Sequence, residues 1–373
     1  TKLIAPRVSA KGASPGLTTV YAAALRRGSD AAARDKAKEL LGKLVETTSG
    51  ADLGRAQLEL ARLHRDNGDF SEARAAYAAA VTAGNRDARF EYGLMLIEDR
   101  DPGAGRDLLD ALLAEAGEGA SAQLLIETAR ARMLVGDHPG ASQLLDRAEK
   151  VAADADRWKL ARERGRLALR KSDFAAAAVA LNGALDACGS DRETFLLAAD
   201  VGGYEKSLAD KVKKLAAERL KGRPEAKIVE GKLLIAAEKY EEADRAYRDA
   251  KTALKAEKAS PRRLAQVDFG LGVIAYNREN GAEALQMFEL VTDQDPSLVD
   301  TYMFAASITK DTKRAFVFAQ KAVKYNPDYP GAWLLYGRTA HRLRDRKSLA
   351  QAVAKLTQLA PNGDELKELR ALR

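Results

Sequence analysis

The chain has few of the residues that most catalytic and metal-binding sites use. Its 373 residues include one cysteine, three histidines and two tryptophans. A single thiol, Cys188, excludes a disulfide within the chain and indicates a reducing compartment, so we expect a cytoplasmic location. His64, His138 and His341 lie far apart, and none has a second histidine or a cysteine at ligand spacing. We therefore expect no metal and no other cofactor.

Long apolar runs are absent too. No stretch of 18 apolar residues occurs, which predicts that this chain does not insert into a membrane. The net charge is +7, from 61 basic and 54 acidic residues, and this mild excess favours acidic partners. Nucleic acid is a less favoured partner, because its dedicated binders show much denser basic clusters. The first residue, Thr1, is not a methionine, which is typical of an excised fragment or a mature product.

Motifs for covalent or phosphate chemistry are also missing. The segment from Gly202 to Ser207 ends in Lys-Ser, but it lacks the glycine spacing and the preceding strand of a phosphate-binding loop. The acidic pair Glu241 and Glu242 lies on a helix face that the pattern predicts to be exposed. We therefore predict that the chain is not an enzyme.

What the sequence does contain is one spacing that returns every 31 to 41 residues, with one gap after the fourth occurrence. A small residue opens each occurrence: Ala73, Gly105, Ala141, Ala177, Ala243, Ala284 and Ala315. A large residue follows four positions later in six of the seven: Tyr77, Leu109, Leu145, Leu181, Tyr247 and Phe288. Another alanine or glycine stands twelve positions before most of them: Ala61, Gly93, Ala129, Gly165, Gly231 and Gly272.

This pattern resembles the tetratricopeptide repeat, whose units of about 34 residues consist of two antiparallel helices. The clearest unit runs from Pro330 to Pro361, where Trp333 stands four residues before Gly337. The resemblance covers residues 54–361, roughly nine units at that period. It implies an all-α fold, namely a right-handed superhelical α-solenoid of antiparallel helix pairs.

The same pattern divides the chain into segments. Residues 191–222 form a degenerate unit, because Gly202 and Gly203 interrupt the spacing. The predicted segments are an extended lead-in or linker (1–16), an incomplete or capping helical pair (17–53), four repeats (54–190), the degenerate unit (191–222), four further repeats (223–363) and a capping helix (364–373).

The resemblance further implies that the first helices of successive units line a concave face, where partner polypeptides lie. We take the inward positions as the second, fifth, ninth and twelfth of each unit, because spacings of three and four keep residues on one helix face. The candidate partner-binding residues are Arg55, Arg62, Arg65, Phe90, Leu94, Arg130, Met133, Lys159, Arg162, Arg166, Arg170, Lys232, Phe269, Tyr276 and Arg338.

The basic residues among these candidates suggest an acidic partner. Between Arg157 and Lys171 there are seven basic residues and one acidic residue, Glu163. One interpretation is a positive floor in the groove, since the planar guanidinium of arginine binds carboxylates with two hydrogen bonds. The other is a solvated basic helix. The second half offers Phe269 and Tyr276, so we expect the first half to steer an acidic segment and the second to anchor apolar side chains.

We therefore predict a non-enzymatic protein–protein interaction scaffold that binds a partner polypeptide in its groove. The alanine and arginine usage suggests a bacterial source, and we expect a larger assembly of the motility, polarity, secretion or envelope class. The alternative is RNA or polyanion binding along the arginines, which predicts strong salt dependence. A third possibility is an enzyme whose catalytic domain lies outside this sequence. The oligomeric state stays open.

Overall fold

The computed structural model describes residues 13–27, 31–99, 101–171, 173–296, 298–325, 327 and 329–372. These residues form 21 α-helices, two single-turn 3₁₀ helices (Gly117–Gly119 and Asp154–Asp156) and no strand. The α-helices are α1 (Pro15–Arg26), α2 (Ala31–Thr47), α3 (Gly50–Asp66), α4 (Phe70–Thr82), α5 (Arg86–Glu98), α6 (Pro102–Ala116), α7 (Ala122–Leu134), α8 (His138–Val151), α9 (Arg157–Arg170), α10 (Phe174–Ala187), α11 (Arg192–Gly202), α12 (Lys206–Arg219), α13 (Pro224–Ala236), α14 (Tyr240–Ala256), α15 (Pro261–Asn277), α16 (Gly281–Gln294), α17 (Val299–Ile308), α18 (Thr312–Tyr325), α19 (Pro330–Arg342), α20 (Arg346–Leu359) and α21 (Asp364–Ala371).

Short capped turns explain why the helices begin and end where they do. The carboxylates of Asp101, Asp137 and Asp173 each accept a hydrogen bond from the backbone N–H three residues later, which caps α6, α8 and α10. Proline occupies the first turn of six helices, where a missing N–H is harmless: Pro15, Pro102, Pro139, Pro224, Pro261 and Pro330. The turns therefore follow from local residue chemistry.

In the repeats that carry the spacing, the helix pair is held by contact between a small residue and a large residue sixteen positions later. A Cβ built on Gly231 would lie 2.7 Å from the ring of Tyr247, and one on Gly165 would lie 2.6 Å from Leu181. The other large residues of the repeat are equally buried, because a small partner lets the two helices approach closely. The predicted all-α solenoid of helix pairs is confirmed.

The pairs follow one another from α1/α2 to α19/α20, and α21 packs on the last pair. Each first helix also touches the second helix of the preceding pair. The most extensive direct contact between consecutive first helices is between α11 and α13, in the segment with Gly202 and Gly203. First helices lie on the inner side, so their close approach there tightens the curve of the solenoid.

The solenoid curves far enough for an early part and a late part of the array to touch. A Cβ built on Gly68, after α3, would lie 2.5 Å from the carbonyl oxygen of Lys258, before α15. Nearby, Arg262 Nη1 donates a hydrogen bond of 3.4 Å to the carbonyl oxygen of Ile97, 165 residues away. Two successive turns of the superhelix are therefore in contact at the ends of their first helices. We call them the first coil, which contains α3 and α5, and the second coil, which contains α15.

A second group of contacts joins the same two coils. A Cβ built on Gly136 would lie 2.5 Å from Cβ of Tyr329, whose ring meets the imidazole of His138 edge-on at 5.8 Å. Arg170 Nη1 lies 4.0 Å from Asp300 Oδ2. We call all these contacts the clasp; its residues are Gly68, Ile97, Gly136, His138 and Arg170 on the first coil and Lys258, Arg262, Asp300 and Tyr329 on the second.

Two local features differ from the sequence expectations: the exposure of His138 and the start of the first helix. Exposure is the default for His138, which lies in a turn before Pro139, but the clasp leaves it only partly exposed. Helix α1 begins at Pro15, inside the segment predicted as an extended lead-in, and residues 1–12 lie outside the described residues. In the part of the chain that the structure describes, no helix combines the length and apolar character needed to cross a bilayer.

The small–large contact yields the first prediction. Gly231→Ala adds a methyl group against the rigid ring of Tyr247, which is 1% exposed, so we expect unfolding free energy to fall by about 1–3 kcal/mol. Gly183→Ala, on the exposed side of α10 with no atom within 4 Å, is the matched control, and we expect it to stabilise by about 0.5–1 kcal/mol. Urea unfolding of both variants measures the difference; equal effects would contradict the packing account.

Candidate binding surfaces on the concave face

The first helices surround a central cavity of about 660 Å³. Four of the predicted partner-binding residues line it, from four different first helices: Arg65, Leu94, Arg130 and Arg162. Lys258 of the clasp lines it from the second coil. The inward rows of the sequence analysis therefore meet in space, although the cavity walls also carry five carboxylates, Asp66, Glu127, Asp191, Glu193 and Glu257.

The arginines of α9 are bound to a buried carboxylate. Arg162 Nε donates to Glu163 Oε1 at 2.6 Å, and Arg166 Nε donates to Glu163 Oε2 at 2.7 Å. The side chain of Glu163 is 0% exposed. Burial raises its pKa, but Arg166 and Arg162 lower it more, so the pKa of Glu163 lies below its ordinary value. Arg162 and Arg166 are therefore held in the protein, whereas Arg157 and Lys171 of the same segment are exposed.

The pairing extends across three successive first helices. Glu193 of α11 accepts from Arg130 Nη2 at 2.6 Å and from Arg166 Nη2 at 3.1 Å. The members of this network are Arg130, Arg162, Arg166, Glu127, Glu163, Asp191 and Glu193. Three arginines thus face four carboxylates, and the positive floor expected from the sequence is offset by acidic residues of neighbouring helices.

The same holds for the other predicted basic residues. All ten have a carboxylate within 4.0 Å: Arg55, Arg62, Arg65, Arg130, Lys159, Arg162, Arg166, Arg170, Lys232 and Arg338. Most of the partners stand on or next to the same helix or about one unit away, whereas Glu193, a partner of Arg130, is 63 residues away and Asp300, the partner of Arg170, lies on the second coil. These side chains therefore hold units together, and an acidic partner would have to compete with carboxylates already in place.

The apolar candidates of the first half belong largely to the core. Met133 is 3% exposed and packs in the cluster of α7 and α8. Phe90 and Leu94 are half-buried and pack against Ile97 and Leu109, and only Leu94 reaches the central cavity. Their packing leaves little apolar surface for a partner in this half.

The second half offers an aromatic surface. Phe269 and Tyr276 of α15, both predicted, are brought together by Phe304 of α17, which the inward rows did not include. The ring centroid of Phe304 lies 6.0 Å from that of Phe269 and 5.3 Å from that of Tyr276. Tyr276 is 42% exposed, so this cluster presents aromatic area to solvent.

A second cavity, of about 440 Å³, lies between α17, α19 and α21; we call it the C-terminal pocket. Its walls include Met303, Ala306, Leu335 and Leu372, and its polar members include Arg338, His341, Arg342 and Glu368. Arg338 Nη2 donates to Glu368 Oε2 at 2.6 Å, which joins α19 to α21. The sequence predicts α21 as a capping helix and carries no signal that Leu372 lines a pocket.

The side chains that could bind a metal or act as a nucleophile do not come together in one site among the described residues. Within the described residues, no three His, Cys, Asp or Glu side chains stand close enough together to hold a metal ion. His64 is buried, with Nδ1 3.6 Å from Asp69 Oδ2, and Cys188 is buried in the core of α10 and α11. Burial raises the pKa of the Cys188 thiol, so it is a poor nucleophile.

Comparison with known proteins agrees with the repeat. Residues 58–121 match the family model of the tetratricopeptide repeat, so the predicted repeat is recognised in that stretch of the chain. No curated protein matches the chain. Proteins of this repeat family bind proteins and are generally non-catalytic, so the repeats support a protein-interaction scaffold.

Two solved structures are similar to parts of the chain. PilF of Pseudomonas aeruginosa is 21% identical, with a TM-score of 0.37, over 58% of this chain and 98% of that chain. PilW, described as a widely conserved type IV pilus biogenesis factor, is 16% identical, with a TM-score of 0.39, over 59% of this chain and 100% of that chain.

The buried network yields the second prediction. In Glu163→Gln the two arginines lose their charged partner, and we expect a loss of about 3–5 kcal/mol in unfolding free energy at pH 7. Because the folded-state pKa of Glu163 is lowered, its contribution is present above the unfolded value near 4.5 and is lost as the pH falls through the folded-state pKa. The variant therefore lacks this part of the acid dependence.

Glu230→Gln is the matched control, since Glu230 pairs with Lys227 at 2.9 Å on the exposed face of α13. We expect this control to change stability by less than about 1 kcal/mol. Denaturant titrations of the two variants from pH 7 down to about pH 3 separate the effects. A loss in Glu163→Gln no larger than in the control would mean that the network does not hold the units together.

Proposed function

We propose that this chain, which carries tetratricopeptide repeats, is a scaffold that binds an acidic polypeptide segment with an apolar anchor residue. The observation that carries the proposal is the C-terminal pocket between α17, α19 and α21. Its volume, about 440 Å³, lies within the range of about 300–1,000 Å³ that is usual for binding pockets.

The apolar part of the pocket defines the anchor. Met303, Ala306 and Leu335 form walls from which water is displaced favourably by an apolar side chain of a partner. Methionine adapts its shape, which suits a pocket that accepts more than one apolar residue type. The nearby cluster of Phe269, Tyr276 and Phe304 gives a partner further apolar area along the same face.

The charged part of the pocket defines the acidic neighbour of the anchor. His341 and Arg342 are exposed, and within the described residues no carboxylate pairs with either side chain. Arg338, by contrast, is held by Glu368. An incoming carboxylate therefore meets a free guanidinium at Arg342, whereas in the central network it must displace an existing partner. This moves the proposed acidic contact from the first half of the chain to its C-terminal end.

RNA or polyanion binding, the alternative reading of the arginine row, has less support. Carboxylates stand among the arginines of the central cavity and repel phosphate groups. A fluorescent RNA oligonucleotide titrated at two salt concentrations tests it: tight binding that weakens steeply with salt would favour the RNA reading.

We further propose that the scaffold works in a larger bacterial assembly of the motility, polarity, secretion or envelope class, on its cytoplasmic side. This part of the proposal rests on sequence usage and on the repeat family. Identification of proteins that co-purify with the chain from its native cell tests it.

The third prediction concerns peptide selection. From a displayed library of random peptides, we expect the protein to enrich peptides with an acidic residue next to a leucine, isoleucine, phenylalanine or methionine. Arg342→Glu removes the free cation and Met303→Ala shortens the apolar wall, so we expect each change to weaken binding of such a peptide about tenfold. Fluorescence anisotropy with one labelled peptide measures the affinities.

Arg245→Glu is the matched control, because Arg245 is exposed on α14 and does not line the C-terminal pocket. It changes the net charge of the protein by the same amount as Arg342→Glu, and we expect no change in peptide affinity. An equal loss in both variants would indicate non-specific charge attraction. Enriched peptides without acidic residues would contradict the proposed partner.

A further inference from the structure

The central cavity and the clasp share the same pieces of chain. Asp66 and Phe70, on either side of Gly68, line the cavity, and so do Glu257 and Lys258 on the opposite coil. The clasp therefore forms one side wall of the cavity. We propose that the clasp is a gate: while the two coils touch, bulky molecules are kept from entering the central cavity from the side, and when the coils part the cavity becomes accessible to them.

This inference goes beyond the proposed function, which places the partner in the C-terminal pocket. It depends on the coils separating while the helix pairs stay folded. The hydrophobic clusters of the described residues satisfy that condition, because each joins consecutive pairs and none joins the two coils. Separation of the coils therefore leaves these apolar clusters intact.

The contacts of the clasp are individually weak. The hydrogen bond from Arg262 to the carbonyl oxygen of Ile97 is long, at 3.4 Å. Arg170 and Asp300 are 4.0 Å apart, and the Asp300 side chain is more than half exposed, so water screens the pair. Regions with few buried apolar contacts open at lower free energy than the core. The clasp thus opens before the repeats unfold.

Two glycines give a sharp test of the gate. Gly68 and Gly84 both have a left-handed backbone, with φ of +78° and +81°. A Cβ on Gly68 would strike the backbone of Lys258 at 2.5 Å, whereas a Cβ on Gly84 meets nothing within 4 Å. Gly68→Ala and Gly84→Ala therefore share the same backbone strain, and only the first pushes the coils apart.

The fourth prediction uses spin labels on the two coils. Glu72→Cys and Lys255→Cys, both exposed, carry the labels in a Cys188→Ser background. We expect one short, narrow distance distribution in the parent and in Gly84→Ala, and a longer distance component in Gly68→Ala, measured by double electron–electron resonance. Circular dichroism checks that all three proteins remain folded.

Access to the cavity is measured separately, in a Leu94→Cys variant of the same cysteine-free background, because Leu94 lines the cavity. We expect iodoacetamide to react at similar rates in all proteins at pH 7.5. A bulky polyethylene-glycol maleimide should react slowly in the parent and in Gly84→Ala, and about tenfold faster in Gly68→Ala.

Each outcome decides between the alternatives. If the bulky reagent reacts equally fast in parent and Gly68→Ala, the clasp does not guard the cavity, and the gate is wrong even where peptide binding at the C-terminal pocket is intact. If Gly68→Ala fails to fold, Gly136→Ala replaces it, since its Cβ would lie 2.5 Å from Tyr329. Its control is Gly222→Ala, where φ is +77° and no atom lies within 4 Å.

His138 gives the gate a dependence on acid. Its Nε2 is buried without a hydrogen-bond partner, and the charged groups facing it are Asp137, Arg170 and Lys171, beside the ring of Tyr329. Burial, then Arg170 and Lys171, lower the pKa of His138 from 6.5 to about 4. Protonation therefore favours the open clasp, where the imidazole regains its ordinary pKa.

The fifth prediction follows from the expectation that protonation of His138 favours the open clasp. Between pH 7 and pH 5 the closed form keeps His138 neutral while the open form gains a proton, so we expect the open fraction in the spin-label experiment to rise about tenfold. His138→Gln cannot gain this proton, and its open fraction should stay constant over that range. Equal pH responses in the two proteins would assign the effect to other groups.

Discussion

Contact between a small residue and a large one sixteen positions later holds the helix pairs together in the repeats that carry this spacing. Gly231 against Tyr247 and Gly272 against Phe288 leave so little space that an added methyl group would meet an aromatic ring at 2.7 Å. Apart from the clasp, the extensive packing within the described residues is between nearby helices, so the solenoid is largely a sum of such pairs and their interfaces. The concave face, its two cavities and the clasp exist only where this spacing sets the helices at a constant separation.

Local features were predictable from the sequence, because the residues that produce them lie within one unit. The caps at Asp101 and Asp137 and the small–large spacing are of this kind. The electrostatics of the groove were not predictable in the same way. A count of charges from Arg157 to Lys171 finds only one acidic residue. Such local counts miss distant partners: Arg130, for example, pairs with Glu193, which lies 63 residues away on another helix. A charge count along the chain cannot include a partner that only the curvature of the solenoid brings close.

The candidate site shows the same division. Four residues of the inward rows, Arg65, Leu94, Arg130 and Arg162, line one cavity, since helix periodicity fixes which face a residue occupies. The rows cannot tell which side chains are already satisfied, and they miss Met303 and Leu372, which line the C-terminal pocket from α17 and from the end of α21. Free basic groups beside apolar walls, rather than the density of arginine, mark the surface that we assign to a partner.

The clasp joins the C-terminal ends of early first helices to the N-terminal ends of later ones, where backbone partial charges are opposite and attract. Gly68 faces the backbone carbonyl of the other coil, and Ile97 contributes its own backbone carbonyl to the contact. The fit of the two coils in the clasp therefore depends on backbone geometry more than on side-chain identity. The number of helix pairs between α4 and α15 determines which turns of the two coils face each other in the clasp. Most repeat arrays lengthen or shorten freely by whole units; in this molecule, gain or loss of one unit in that stretch would leave each turn facing the wrong neighbour.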